Sequence, residues 1–140
     1  MITVKSDRPQ DIREIVCRSP VSHIPDADRV LRECMFRSEE VRYGMVDGKI
    51  ACVWGLIPPT LLSNKAYLWL LTTDIVAEHK FLFVRHSQRY VEEALKQYPI
   101  IVGDCLIGNA SAMRWLRWLG AEFGEPDGGR IPFMIKAKRG

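Results

Sequence analysis

The sequence has no long apolar run and no strong excess of charge of one sign. Its longest apolar stretches, such as residues 66–71, fall far short of the roughly 20 residues of a membrane-spanning helix. Charged residues at positions 7 and 8 interrupt the apolar start before the core of a leader forms, so we expect no signal peptide. Twenty Lys and Arg against 17 Asp and Glu give a net charge of +3. That balance by itself indicates neither a nucleic-acid partner nor a membrane surface.

Cysteine is sparse, and no pair of cysteines has the spacing of a metal site. The four cysteines, at positions 17, 34, 52 and 105, include no Cys-x-x-Cys and have no histidine at a ligand spacing. We therefore expect no metal and no disulfide framework. Apolar neighbours surround each of them, which predicts buried, reduced thiols that pack as small hydrophobic side chains.

The signature motifs of several enzyme classes are also missing. The sequence contains no Walker motif, no dinucleotide-binding fingerprint and no Gly-x-Ser-x-Gly. What remains is the composition of an ordinary globular protein, 47% hydrophobic and 26% charged over 140 residues. This length predicts a single soluble, intracellular domain over residues 1–140.

Hydrophobic periodicity predicts alternating strands and helices along the chain. Helices are expected from Asp7 to the Ser19-Pro20 pair, from Pro25 through about residue 35, over residues 78–98 and over residues 109–119. Strands are expected over residues 2–5, 41–46, 49–57, 66–73, 100–106, 122–123 and 131–137. Asp47-Gly48 is typical of a type I′ hairpin turn, and Gly120 of a residue that follows a helix. This order predicts an α+β fold, a mixed sheet with helices on both faces.

This element order resembles the N-acetyltransferase fold of the GNAT superfamily over almost the whole chain. After the fifth strand, that family has an Asn, an Ala three residues later, an apolar pair and a closing Gly plus aromatic. The matching positions here are Asn109, Ala112, Trp115-Leu116 and Gly120, with Ala121 in place of the aromatic. The resemblance implies a mostly antiparallel, mixed sheet.

Four further segments are similar to a phage branch of this fold. They are residues 69–73, 85–91, 108–109 and 114–121, and the branch includes the small internal virion protein of short-tailed phages. This resemblance implies a bacteriophage protein in the host cytoplasm or in the virion.

The resemblance also implies where acyl-CoA would bind, if it binds. Candidate cofactor-binding residues are Leu71, Thr72, Thr73, Lys80 and Asn109. Family members hold the pyrophosphate in a glycine-rich loop after the fourth strand, because glycine lets backbone N–H groups approach an anion closely. Residues 74–80 contain no glycine, and Asp74 and Glu78 would bring negative charge to the phosphates.

The expected catalytic groups depart from the family pattern as well. Many members protonate the leaving thiolate with a Tyr in the helix after the fifth strand, where this chain has Leu116. A general base would have to come from Glu39, Glu40, Asp74 or Asp104, and the sequence singles out none. Burial of Asp104 would raise its pKa, whereas a strand-end position bonded to backbone would make it structural.

The segment from Arg114 to Trp118 interleaves basic and aromatic residues. On a helix, Trp115 and Leu116 would face the sheet together with Ala112 and Leu119, and the arginines would lie on the opposite side. Trp118 beside Arg114 and Arg117 is then either a solvated surface or a partner-binding or nucleic-acid face.

Two functions remain open at this point. The first is a non-catalytic, virion-associated structural or protein-binding phage component, with a protein partner and without a cofactor. The alternative is an acyl-CoA-dependent N-acetyltransferase with a non-standard pyrophosphate site, since proximity of amine and thioester alone supplies much of the rate. The sequence specifies no oligomeric state and indicates no nucleic-acid partner.

Overall fold

A computed structural model describes residues 2–10, 12–19, 22, 24–60, 63–106 and 110–137. In chain order the elements within these residues are β1 (Ile2–Lys5), α1 (Ile12–Cys17), α2 (Ala27–Arg37), β2 (Glu40–Val46), β3 (Lys49–Ile57), β4 (Ala66–Thr72), α3 (Ile75–Glu78), α4 (Lys80–Gln97), β5 (Ile100–Leu106), α5 (Ala110–Trp118), β6 (Glu122–Phe123) and β7 (Arg130–Lys136). The strands form one sheet in the order β1-β2-β3-β4-β5-β7-β6. Strands β4 and β5 run parallel, whereas β1/β2, β2/β3, β5/β7 and β6/β7 are antiparallel. The predicted α+β class with a mixed, mostly antiparallel sheet is therefore confirmed.

The β2–β3 hairpin turns where the sequence predicts it. Val46 pairs with Lys49, so Asp47 and Gly48 are the two loop residues. Their φ angles are 51° and 78°, the positive values that a type I′ turn requires. Gly48 meets this requirement without strain because it has no Cβ.

The long helix predicted over residues 78–98 is wrong at its start. The structure has two helical segments there, α3 (Ile75–Glu78) and α4 (Lys80–Gln97), with His79 between them. Strand β4 ends one residue earlier than predicted, at Thr72. Thr73 leaves the strand because its side chain and backbone bond to the start of β3, as described below.

The chain divides into two compact units. The first consists of Met1–Ile57 and Trp69–Phe83, the second of Pro58–Leu68 and Val84–Gly140. Buried side chains from α1, α2, β2, β3 and the end of β4 fill the first, among them Ile15, Leu31, Met35, Val53 and Trp69. Those of the second come from the start of β4, from α4, β5, α5 and β7, among them Leu68, Val91, Ile101, Leu116 and Ile135. The single domain over residues 1–140 stays a prediction.

The cysteines are only partly where the sequence places them. Cys52 and Cys105 are buried and Cys34 is half-buried, but Cys17 is exposed. Ile12, Ile15 and Val16 form the buried side of α1 at a spacing of three and four residues. Cys17, at the end of the helix, lies outside that side, so the prediction of burial is wrong for it.

Candidate functional site

The segment that follows β4 is where the family resemblance places the acyl-CoA pyrophosphate. Thr73 begins it and is tied to strand β3 in the first unit. Its backbone N–H donates to the carbonyl oxygen of Ala51 at 2.8 Å, and its hydroxyl donates to that of Ile50 at 2.9 Å. The backbone N–H of Ile75 in turn lies 3.4 Å from the Thr73 hydroxyl oxygen, which accepts from it. Thr73 is therefore a structural anchor, and its hydroxyl also accepts from the first N–H of α3.

Three backbone amides of this segment, those of Ile75, Val76 and His79, bond within the chain. The N–H of Val76 donates to the carbonyl oxygen of Thr73 at 3.3 Å, and that of His79 to the carbonyl oxygen of Val76 at 3.0 Å. The side chain of Ile75 is 8% exposed and belongs to a cluster with Val46 and Ala51. A helical turn thus occupies the place of an open, amide-lined loop. Burial of Ile75 holds this turn against the sheet.

Charge in the same segment is also unlike that of a phosphate site. The carboxylate of Asp74 forms an ion pair with the guanidinium of Arg18, with 2.9 Å between Oδ1 and Nη2. Glu78 is exposed. Lys80 is exposed at the start of α4. A cation there would attract phosphates, but the paired carboxylate and Glu78 oppose it.

These observations test whether the residues after β4 fit the pyrophosphate of acyl-CoA. Such a group needs unpaired N–H groups that converge on it. The N–H groups of residues 75, 76 and 79 already have intramolecular acceptors, and no glycine relaxes the segment. The described residues of this segment do not fit the group, and we derive no step through it.

The predicted cofactor-binding residues do not all lie in the described part of the chain. Leu71 and Thr72 are half-buried at the end of β4, Thr73 is buried, and Lys80 is exposed, all in the first unit. Asn109 lies outside the described residues. Their assignment as cofactor-binding residues stays a prediction.

Helix α5 contributes Leu116 to the core of the second unit. Leu116 is 4% exposed, and the neighbouring Trp115 donates its indole N–H to the hydroxyl oxygen of Ser87 on α4 at 2.8 Å. This face of α5 is apolar and packed, as the sequence predicts. A leucine at this position has no proton to give.

The end of α5 forms a Schellman motif around Gly120. The N–H of Ala121 donates to the carbonyl oxygen of Leu116 at 3.0 Å, and that of Gly120 to Arg117 at 2.9 Å. Gly120 has a φ of 94°, which confirms its predicted place after the helix.

Most of the carboxylates considered as general bases have structural partners. Asp104 is exposed, and its Oδ2 accepts a hydrogen bond from the hydroxyl of Tyr67 at 3.0 Å across the parallel β4–β5 pair. Asp104 is therefore not a buried carboxylate, and its one described side-chain partner is the Tyr67 hydroxyl. Glu40 pairs with Arg42 at 2.8 Å, and Asp74 pairs with Arg18.

The sequence contains a local signal for α3. Thr73-Asp74 is a capping pair that directly precedes an apolar run, Ile75-Val76, which is typical of a helix start. This pattern predicts a helical turn in the segment where the family has its phosphate loop.

Two other kinds of site are absent from the described residues. No group of three or more His, Cys, Asp or Glu side chains there is arranged to hold a metal ion. No helix in that part of the chain is long and apolar enough to cross a membrane.

No protein-family model and no curated protein matches the sequence. Solved structures do match, across nearly their whole length. The Escherichia coli ribosomal-protein-S18-alanine N-acetyltransferase is 15% identical with a TM-score of 0.72, covering 100% of this chain and 96% of its own. A Bacillus subtilis acetyltransferase in complex with CoA is 10% identical with a TM-score of 0.70, covering 98% of each chain. The chain has the GNAT fold.

A third match carries the family name. A GNAT-family acetyltransferase of Desulfovibrio desulfuricans, described as putative, is 13% identical with a TM-score of 0.71, and covers 97% of this chain and 99% of its own. At these identities the GNAT-like architecture is shared, while the residues of the site are this chain's own.

Proposed function

We propose that this chain is a phage protein that uses the GNAT fold as a non-catalytic, protein-binding body, in the virion or in the host cytoplasm. The observation that carries the proposal is the hydrogen bonding after β4. The N–H groups of Ile75 and Val76 are bonded to Thr73, and the buried side chain of Ile75 holds the turn in place. To bind a pyrophosphate with these two N–H groups, the chain would have to break these bonds.

Helix α5 supports the same proposal independently. Leu116 stands where many family members have a proton-donating Tyr, and it is buried in the core of the second unit. A side chain so placed contributes to stability, and general-acid catalysis at that position has no group to perform it.

The phage and virion part of the proposal is supported by the sequence. The segments over residues 69–73, 85–91, 108–109 and 114–121 are those that resemble the small internal virion protein of short-tailed phages. In the first and last of these segments, Trp69 and Leu116 are buried.

A second candidate function is an acyl-CoA-dependent N-acetyltransferase with a non-standard pyrophosphate site. It is favoured by the matched solved structures, which include acetyltransferases and one complex with CoA. In that case Lys80, exposed at the start of α4, would be the cation available to the phosphates.

Isothermal titration calorimetry with acetyl-CoA separates the two functions. We expect no binding heat up to about 1 mM ligand, which corresponds to a binding free energy weaker than about −4 kcal/mol. Low-micromolar binding that Lys80→Ala weakens would overturn the non-catalytic proposal. Lys49→Ala is the matched control, since Lys49 is an exposed lysine at the β2–β3 turn.

Mass spectrometry of purified phage particles tests the virion assignment. We expect peptides of this chain in particles that have been treated with protease to remove adsorbed protein. Their absence from particles, with the chain present in infected-cell extract, would assign it to the host cytoplasm instead.

A further inference from the structure

Helix α5 presents an aromatic and basic surface on the side opposite its buried face. Arg114, Arg117 and Trp118 are all exposed, and the Trp118 side chain is 54% exposed. Residues 114 and 118 are one turn apart, so Arg114 lies beside Trp118 on the helix surface. We call these three residues the α5 surface.

Arg117 is held in place by a neighbouring strand. Its guanidinium carbon lies 5.4 Å from the centre of the Phe123 ring on β6, within the range of a cation–π interaction. Phe123 is in turn fixed by pairing with Phe133 of β7. An arginine oriented in this way loses less side-chain entropy when it binds a carboxylate.

The charge of the α5 surface is of one sign. Helix α5 contains two arginines and no acidic residue. Ion pairs in the described part of the chain include Arg18–Asp74, Arg29–Asp26, Arg42–Glu40 and Lys96–Glu93, and none of these four uses Arg114 or Arg117. The nearest acidic residue in sequence, Glu122, is exposed. As far as the described residues show, the two guanidinium groups are open to carboxylates from another molecule.

We infer that the α5 surface docks an acidic segment of a protein partner, with an apolar side chain of that segment packed on Trp118. This inference rests on the proposed protein-binding function and names the chemistry of the partner. Exposed tryptophan and arginine are the residues that most often dominate the energy of protein interfaces. The fork of each guanidinium matches the two oxygens of a carboxylate.

A protein segment fits this surface better than a single-stranded nucleic acid does. Nucleic-acid platforms stack successive bases on several aromatic rings along a basic groove. In the described part of the second unit, Trp118 is the one large hydrophobic side chain that is exposed. Phe123, the nearest other ring, is already covered by Arg117.

The test uses the whole chain and a fluorescein-labelled peptide composed of Glu, Leu and Ser. Fluorescence anisotropy at low salt is expected to give a dissociation constant at or below about 100 µM, within the range of weak, transient complexes. The same peptide with Lys in place of each Glu should not bind. Absence of binding by the acidic peptide at about 1 mM would overturn the inference.

Variants assign the binding to the α5 surface. Trp118→Ala and the double change Arg114→Ala/Arg117→Ala should each weaken peptide binding about tenfold or more, as expected for interface anchors. Arg89→Ala and Phe36→Ala are matched controls, because they remove an exposed arginine of α4 and an exposed aromatic of α2. Equal losses in the control variants would overturn the assignment.

The indole N–H resonance of Trp118 supplies a residue-specific readout. It is assigned by its loss in Trp118→Phe, and it should shift on peptide addition while that of Trp69, bonded to Ser38, stays in place. An oligothymidylate that binds more tightly than the peptide and shifts the same resonance would favour nucleic acid and overturn the inference. Calorimetry with acetyl-CoA tests the proposed non-catalytic function in a separate experiment. The result for peptide binding at the α5 surface and the result for acetyl-CoA can therefore differ.

Discussion

The indole N–H of Trp69 on β4 donates a hydrogen bond of 2.6 Å to the hydroxyl oxygen of Ser38, which directly follows α2. Both residues are buried. The Ser38 hydroxyl donates in turn to the carbonyl oxygen of Cys34 in the last turn of α2, also at 2.6 Å. This chain of bonds joins the end of a helix to the middle of a strand 31 residues away. It satisfies polar groups that burial would otherwise penalise.

Replacing Ser38 with alanine is therefore expected to destabilise the protein. The change leaves the buried indole N–H of Trp69 without its acceptor, which costs about 1–3 kcal/mol of unfolding free energy. Urea unfolding followed by circular dichroism measures the loss. Ser22→Ala, at an exposed serine, is the control and should stay within about 0.5 kcal/mol of the wild type. A urea midpoint for Ser38→Ala equal to that of the wild type would contradict the role of Ser38 as the acceptor for the Trp69 indole N–H.

Gly103 on β5 is required for a close approach in the second unit. A Cβ added there would lie 2.5 Å from Cζ of Phe133 and 2.8 Å from the backbone oxygen of Leu68. Gly103→Ala should thus cost about 1–3 kcal/mol of unfolding free energy through overpacking. Thermal or urea unfolding measures it.

A second substitution distinguishes overpacking from other causes. Gly103→Ala combined with Phe133→Leu should be less destabilising than the sum of the two single changes, because the leucine relieves one of the two contacts. The backbone oxygen of Leu68 cannot move away as easily, so recovery should be partial. Gly124→Ala is the control, since its nearest added contact is 3.2 Å, to Pro132.

Thr73→Val tests the anchor that replaces a phosphate loop after β4. Valine keeps the shape of threonine but loses the hydroxyl that donates to the Ile50 carbonyl oxygen and accepts from the Ile75 N–H. We expect a loss of about 1–2 kcal/mol and faster hydrogen exchange at the N–H of Ile75. Thr72→Val, at the half-buried preceding residue, should leave exchange at Ile75 unchanged. Equal exchange in both variants would show that the hydroxyl does not hold α3.

The parts of the fold that were predictable from the sequence are those set by local chemistry. Asp47-Gly48 requires positive φ angles whatever surrounds it, and Gly120 ends α5 for the same reason. The apolar side of α5 follows from helical spacing, so burial of Leu116 was predictable too.

Features that depend on partners distant in the chain were not predictable. Trp69 bonds to Ser38 across 31 residues, and Tyr67 bonds to Asp104 across 37. Sequence patterns near Asp104 leave its burial open, whereas the structure places it at an exposed position beside a tyrosine. At α3 the family pattern, which assigns a phosphate loop to residues 74–80, conflicts with the local helix-start signal at Thr73-Asp74, and the local signal decides the structure.

Cys52 and Cys17 should differ sharply in reactivity. Burial on β3 raises the pKa of the Cys52 thiol from 9.0 to about 12, although a hydrogen bond from the backbone of Gly44 opposes the shift, whereas Cys17 is exposed. Since the thiolate is the reactive form, iodoacetamide at pH 8 should label Cys17 within minutes and Cys52 only after unfolding. Mass spectrometry of tryptic peptides measures the labelling of both cysteines. The Cys17→Ser change should remove the labelling that occurs within minutes.

The same shift predicts how stability depends on pH. Because the folded protein holds the Cys52 proton up to a higher pH than the unfolded chain does, this contribution is fully present below pH 9.0. It is lost as the pH rises from 9.0 towards about 12, since the unfolded thiol ionises first. Cys52→Ala removes the titrating group, so its unfolding free energy should fall less steeply than that of the wild type across this range. Parallel pH profiles for the two proteins would contradict the assigned pKa.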